Sequence, residues 1–175
     1  CSIYDEISLK SISNDSVFID GEKEYVFYSQ KVKSSDIMTQ DPIAFSQTAS
    51  YLQNYIDKKY ELRITACCND IVACKIDSQA QSDTTGKIDW RQGYDHNLRH
   101  EIVDIPDSIK DFCLAFLKKM KLNFGCFDFI VTPDDEYIFL ECNPNGQWLW
   151  IELVTGYDIS EIVARNLAIN EIIKK

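Results

Sequence analysis

The chain has 175 residues, 45% of them hydrophobic and 12% aromatic, enough for a domain with a real core. Its formal net charge of −10 speaks against the basic footprint of a nucleic-acid binder and against an anionic membrane surface, and no apolar run approaches the length that spans a bilayer. The seven cysteines (Cys1, Cys67, Cys68, Cys74, Cys113, Cys126, Cys142) are odd in number, mostly set in apolar runs and without zinc-type CxxC spacing. They read as reduced core residues of a cytoplasmic protein. A start at Cys1 without an initiator Met reads as that of a fragment.

Residues 1–21 are polar and weakly patterned. The run 24–32, EYVFYSQKV, predicts a strand by its β-branched and aromatic content. Asp41-Pro42 breaks the chain, and a short strand follows over 50–56. After the charged turn Asp57-Lys58-Lys59, strands over 60–67 and 71–76 form a hairpin about Asn69-Asp70. Residues 78–97 read as a long polar loop with Gly86, Gly93, Trp90 and Arg91; long structureless loops inside compact domains tend to be functional. A strand returns over 98–105. Pro106-Asp107 then opens a helix whose stripe Ile109, Phe112, Cys113, Phe116, Leu117, Met120 repeats as one buried face. Asp158 with Glu161 makes a capping-box-like start for a final helix reaching about 173.

Between the two helices lies the stretch with chemical content. Runs 124–131 and 137–142 flank Thr132-Pro133-Asp134-Asp135-Glu136 and predict a hairpin. Folded midway between Asp134 and Asp135, it sets Asp128 opposite Glu141, and strand alternation puts Asn143 on the face of Glu141. Two carboxylates facing across an antiparallel pair repel, unless a divalent cation sits between them. Two carboxylates and an amide oxygen are hard ligands, and so small a set suits Mg²⁺, which keeps waters and takes phosphate oxygens. The plain alternative is a pair of solvated acids, but the neighbours Phe127, Phe129, Phe139, Leu140 and Cys142 make an apolar setting. In the earlier hairpin, Glu61 and Arg63 share a strand face, which by itself reads as a surface ion pair.

Asp128, then Glu141-x-Asn143, then Asn145-Gly146, resembles the Mg²⁺-binding end of the ATP-grasp ligases. The run ECNPNGQW over 141–148 more narrowly resembles the ATP-grasp peptide maturases, the microviridin-type enzymes that make graspetides by cross-linking side chains of a ribosomal precursor peptide. The resemblance covers roughly residues 50–173. It implies an α+β fold, the ATP-grasp C-terminal subdomain, with an antiparallel sheet and helices packed on one face. Residues 1–49, with the strand 24–32, would be the remnant of the preceding subdomain, and 50–175 the C-terminal subdomain.

The resemblance further implies ATP and Mg²⁺ as cofactors. The backbone of Gln53, Tyr55 and Ile56 would read adenine, Glu61 would bond the ribose, and Arg63 would face the phosphate or acyl phosphate. Lys75 matches a basic position on the next strand, a phosphate contact if it is not an ordinary strand lysine. Asn145 belongs to a loop whose Gly146 permits close backbone approach to a transferring oxygen. The implied activity is a cytoplasmic carboxylate ligase working through an acyl phosphate on a precursor peptide, with no nucleic acid or membrane partner and with homo-oligomer formation left open. The family's upstream lysine and glycine-rich loop are not visible in the six scattered glycines, so the segment alone is expected to fold, bind ATP weakly and leave peptide unmodified. Two alternatives stand beside it: another ATP-grasp ligase, such as one adding amino acids to a protein C-terminus, and a non-catalytic lobe that binds nucleotide or peptide with a partner.

Overall fold

The computed structural model describes residues 4–11, 16–19, 23–43, 49–80, 84–92 and 98–173. The chain divides into two units, Cys1–Asp57 with Gln81–Asn97, and Lys58–Ala80 with Leu98–Lys175. In the first unit, β1 (Glu6–Ser11) lies between β4 (Gln30–Lys33) and β5 (Ser50–Asn54), antiparallel to both. A separate hairpin joins β2 (Ser16–Ile19) and β3 (Lys23–Val26). The single strand expected over 24–32 is therefore two, because the chain leaves the partner β2 and joins β1. The break is fastened where Ser29 N donates to Asp89 Oδ2 at 2.9 Å. A short helix α1 (Ser34–Met38) follows β4. Strand β5 falls in the first unit through its pairing with β1, whereas the sequence reading grouped it with the C-terminal part.

The second unit is built on a five-stranded antiparallel sheet. Its strands are β6 (Tyr60–Cys67), β7 (Asp70–Ile76), β8 (His100–Val103), β9 (Phe124–Val131) and β10 (Tyr137–Asn143), in the order β10-β9-β6-β7-β8. Alternation sends Leu62, Ile64, Ala66, Ala73, Phe127, Phe129 and Val131 to one face, where α3 (Asp107–Met120) covers them with Cys113 and Leu117. The stripe on α3 is buried at its centre only: Phe112 is 40% and Met120 57% exposed. Lys121 ends the helix in the left-handed region at φ 58, its N–H returning to Leu117 and Lys118 carbonyls.

The opposite face carries a second apolar cluster at the β7–β8 side. Val72 and Cys74 pack there with Ile151 of α4 (Leu149–Thr155) and Ile159 of α5 (Ile159–Ile173), bordered by Trp148 and Trp150. Helices thus lie on both faces of the sheet rather than one, because residues 148–159 carry enough apolar area for a second layer. Asp158 caps α5 by accepting from Glu161 N at 2.8 Å, as its spacing predicted. On the β6–β9–β10 side the same face carries Glu61, Arg63, Asp128 and Glu141.

The span expected as one long loop begins with a 3₁₀ turn at Ser78–Ala80 and holds a short helix α2 (Thr84–Ile88). Beyond α2, Asp89 fixes Arg91 through two parallel bonds of 2.9 and 2.7 Å. Gly93 and His96 lie outside the described residues. Among the described residues, Cys67, Cys74, Cys113, Cys126 and Cys142 carry free thiols, and burial pushes those of Cys67, Cys74 and Cys142 up to about 11 and that of Cys113 to about 12. They are packing residues. Among the described residues no helix is long and apolar enough to cross a membrane.

Candidate metal and nucleotide site

Three side chains form a row across three strands. Arg63 on β6 pairs with Asp128 on β9, and Asp128 pairs with Glu141 on β10. Asn143 follows on the same face, opposite Cys126. The expected opposition of Asp128 and Glu141 is present, and a β-bulge makes it. Tyr137, Ile138 and Phe139 pair with Val131, Ile130 and Phe129, one residue out of step with the predicted register, and the register shifts between Phe139 and Glu141. Leu140 is the extra residue. It lets Phe139 face the core, 5.5 Å between ring centroids from Phe129, while Glu141 two residues on faces the other way.

Asp128 is the electrostatic centre of this row. Arg63 Nη1 donates to Oδ1 at 2.8 Å and to Oδ2 at 2.7 Å. Burial pushes the carboxyl up, Arg63 pulls it down and the Glu141 charge pushes it up again, for a net value of about 6. The arginine is not satisfied: its Nε is buried and has no hydrogen-bond partner. A buried guanidinium edge without an acceptor asks for an anion. Among the described residues no three His, Cys, Asp or Glu side chains group as metal ligands. The donor set here is two carboxylates and an amide, and its all-oxygen chemistry fits a small hard cation that keeps waters.

The loop after β10 depends on one glycine. Asn143 Oδ1 accepts from Asn145 N at 2.9 Å, and Gly146 N donates to Asn143 O at 3.2 Å. A Cβ on Gly146 would stand 2.3 Å from Cys126 Cβ. The glycine is what lets the loop press onto β9, a packing contact separate from the expected approach to a transferring oxygen. Asn145 is exposed beside it.

The remaining candidates divide. Glu61 is buried on the face of Arg63 and Asp128, bonded to Lys58 and Ser78. Sequence reasoning passed over both partners, taking Lys58 for part of a charged turn and Ser78 for the start of a loop. Lys75 is not brought to this group. It pairs with Leu62, so its side chain is on the α3 face, with Nζ 4.8 Å from the centroid of the Tyr60 ring. Expecting it among the phosphate contacts ignored that alternation: Cys74, not Lys75, lies across from Arg63. Gln53, Tyr55 and Ile56 belong to the first unit. Gln53 pairs with Ser8, Tyr55 N donates to Glu6 O at 3.1 Å, and the Tyr55 ring lies 4.1 Å from Lys31 Nζ. Strand β5 is an edge of its sheet, and Tyr55 borders a polar cavity of about 670 Å³ with Tyr4, Glu6 and Lys33.

The fold is similar to that of ATP-grasp ligases. Its structural neighbours are ATP-grasp ligases of ribosomal-peptide maturation, the graspetide type. A Chryseobacterium gregarium RiPP-associated ATP-grasp ligase, in complex with ADP and a leader and core peptide, superposes with TM-score 0.82 at 29% identity over 94% of this chain and 49% of its own. The macrocyclase MdnC from Microcystis aeruginosa MRC, bound with precursor peptide MdnA, gives 0.74 at 32% identity over 94% and 49%. The ATP-grasp ligase PsnB, complexed with a phosphomimetic variant of its minimal precursor, Mg and ADP, shares the fold with TM-score 0.66 at 20% identity over 93% and 46%. The chain spans about half the length of these neighbours. No family model and no curated protein sequence matches it.

Proposed function

We propose that this chain is the metal- and phosphate-holding part of an ATP-dependent carboxylate ligase that installs side-chain ester or amide cross-links in a ribosomal precursor peptide. The observation that carries the reading is the row Arg63–Asp128–Glu141, with two acids opposed across β9 and β10 and a buried guanidinium nitrogen that lacks an acceptor. Asp128, Glu141 and Asn143 hold Mg²⁺, which when bound neutralises the charge of the nucleotide phosphates. Arg63 orients Asp128 and offers its unpaired Nε–H to a phosphate or acyl-phosphate oxygen. Asn145 and Gly146 place backbone N–H groups beside the same ligands. Gln53, Tyr55 and Ile56 supply the adenine contacts, and Glu61 the ribose contact.

In this chemistry a peptide Asp or Glu carboxylate oxygen attacks the γ-phosphorus and ADP leaves. A Ser or Thr hydroxyl or a Lys amine of the same peptide then attacks the acyl carbon, loses its proton and expels phosphate. The chain needs no nucleophile of its own for this; positioning and electrostatics carry the transfer. The likeness to MdnC and to the Chryseobacterium ligase, both solved with peptides, supports a peptide substrate. Calorimetric titration of the full-length protein with ATP, with and without Mg²⁺, tests the reading. Tight binding that needs Mg²⁺ and is lost in Asp128→Asn supports it; ATP affinity unchanged by that substitution overturns the metal assignment.

A further inference from the structure

Glu61 is held from within the fold. It is 9% exposed, and its Oε1 accepts from Lys58 Nζ at 2.6 Å and from Ser78 Oγ at 3.0 Å. The Lys58 side chain is 5% exposed and Ser78 is fully buried. Gln79 Nε2 donates in turn to Ser78 Oγ at 3.0 Å. Lys58 stands just before β6 and Ser78 just after β7, and Glu61 pairs with Ile76 between those strands. Both donors therefore reach Glu61 from where the chain enters and leaves one hairpin.

A desolvated lysine–glutamate pair is a poor source of net stability, since the cost of burying two charges offsets their attraction. What it supplies is geometry: two donors converging on one oxygen fix the carboxylate plane before any ligand arrives. The pair also sets what the carboxylate accepts. An ionised carboxylate is acceptor-only, so a ligand must bring donors. Lys58 already balances the charge, which favours neutral donors over a second cation. Two adjacent hydroxyls meet that description.

We infer that Lys58 and Ser78 are positioning residues that aim Glu61 at the vicinal 2′- and 3′-hydroxyls of a nucleotide ribose, and so set the protein's preference for ribonucleotides. This rests on the nucleotide reading above. Ligand binding at Glu61 then depends on two residues that need not touch the nucleotide.

The test compares affinities of the full-length protein for ATP, 2′-deoxy-ATP and 3′-deoxy-ATP in the presence of Mg²⁺. The wild type is expected to prefer ATP roughly tenfold, the scale of one hydrogen bond to a charged group. In Ser78→Ala and in Lys58→Met the preference should fall to about twofold or less. Ser78→Ala removes only a hydroxyl and carries the test by itself if Lys58→Met does not fold. A preference kept in both folded variants but lost in Glu61→Gln overturns the positioning role and leaves the nucleotide reading standing. A wild type that binds ATP without preferring it over the deoxy forms removes Glu61 from the ribose and overturns the inference. A wild type that does not bind ATP overturns the nucleotide reading itself.

Discussion

Arg63 and Asp128 stand opposite each other on β6 and β9, and one guanidinium nitrogen bonds both carboxylate oxygens at 2.8 and 2.7 Å. Their side chains are 14% and 29% exposed, so this is a largely desolvated pair whose partners depend on each other. Arg63→Met leaves the Asp128 charge beside Glu141 with its compensating cation gone. The expected loss is about 1–3 kcal/mol of unfolding free energy, below the range for fully buried pairs because both groups keep some water. Urea unfolding checks it. In the double variant Arg63→Met/Asp128→Asn the loss should be smaller than the sum of the single losses, because the stranded charge is gone.

Gly146 has a different constraint. Its missing side chain is what lets the loop after Asn143 close on Cys126, where a Cβ would meet another Cβ at 2.3 Å, an atom fixed to the backbone of β9. Gly146→Ala must displace the loop. The expected cost is about 1–3 kcal/mol, with weakened Mg²⁺ dependence of nucleotide binding because Asn143 moves with its turn. Parallel thermal unfolding and ATP titration would detect both; an alanine variant with wild-type stability and affinity would contradict the packing described here.

Asp89 provides the pH prediction. Burial raises its pKa, but hydrogen bonds and charge from Arg91, with the Ser29 N–H, outweigh that and hold the carboxyl below its ordinary value. A depressed acid contributes stability that is present above its unfolded pKa of about 4 and is lost as pH falls through the lower folded value. Asp89→Asn should therefore destabilise the protein near neutrality, and the gap to wild type should narrow on acidification below about pH 4. Unfolding midpoints measured across that range decide it. A gap that widens toward acid would mean that Asp89 is not held in its ionised form.

Much of this site was legible in the sequence because strand alternation and turn chemistry act locally. The hairpin follows from its turn residues and the shared face of Glu61 and Arg63 from a period of two, while the opposition of Asp128 and Glu141 was reached from the midpoint of the turn and is made by the bulge. The bulge at Leu140 was missed because Phe139-Leu140 offers two apolar residues, either of which suits a core face. The available signal was that Phe139 and Glu141, two apart on a strand, call for opposite environments. Lys75 was misplaced by resemblance, although the same alternation across the β6–β7 turn pairs it with Leu62. Lys58 and Ser78 were illegible for another reason: their meaning lies in a contact made only after the hairpin folds. The split of 24–32 into β3 and β4 likewise depends on a distant residue, Asp89, binding Ser29.

The most direct test of the central claim is the mass of a precursor peptide. The full-length protein would be incubated with ATP, Mg²⁺ and a precursor peptide carrying Thr and Glu side chains, and the peptide weighed against one treated with Asp128→Asn or Glu141→Gln. Loss of one water per cross-link with the wild type, accompanied by ADP formation, and an unchanged peptide with either variant is the expected result. Dehydrated peptide from the Asp128→Asn and Glu141→Gln proteins at the wild-type rate would contradict it, and would place the metal and the chemistry elsewhere in the molecule.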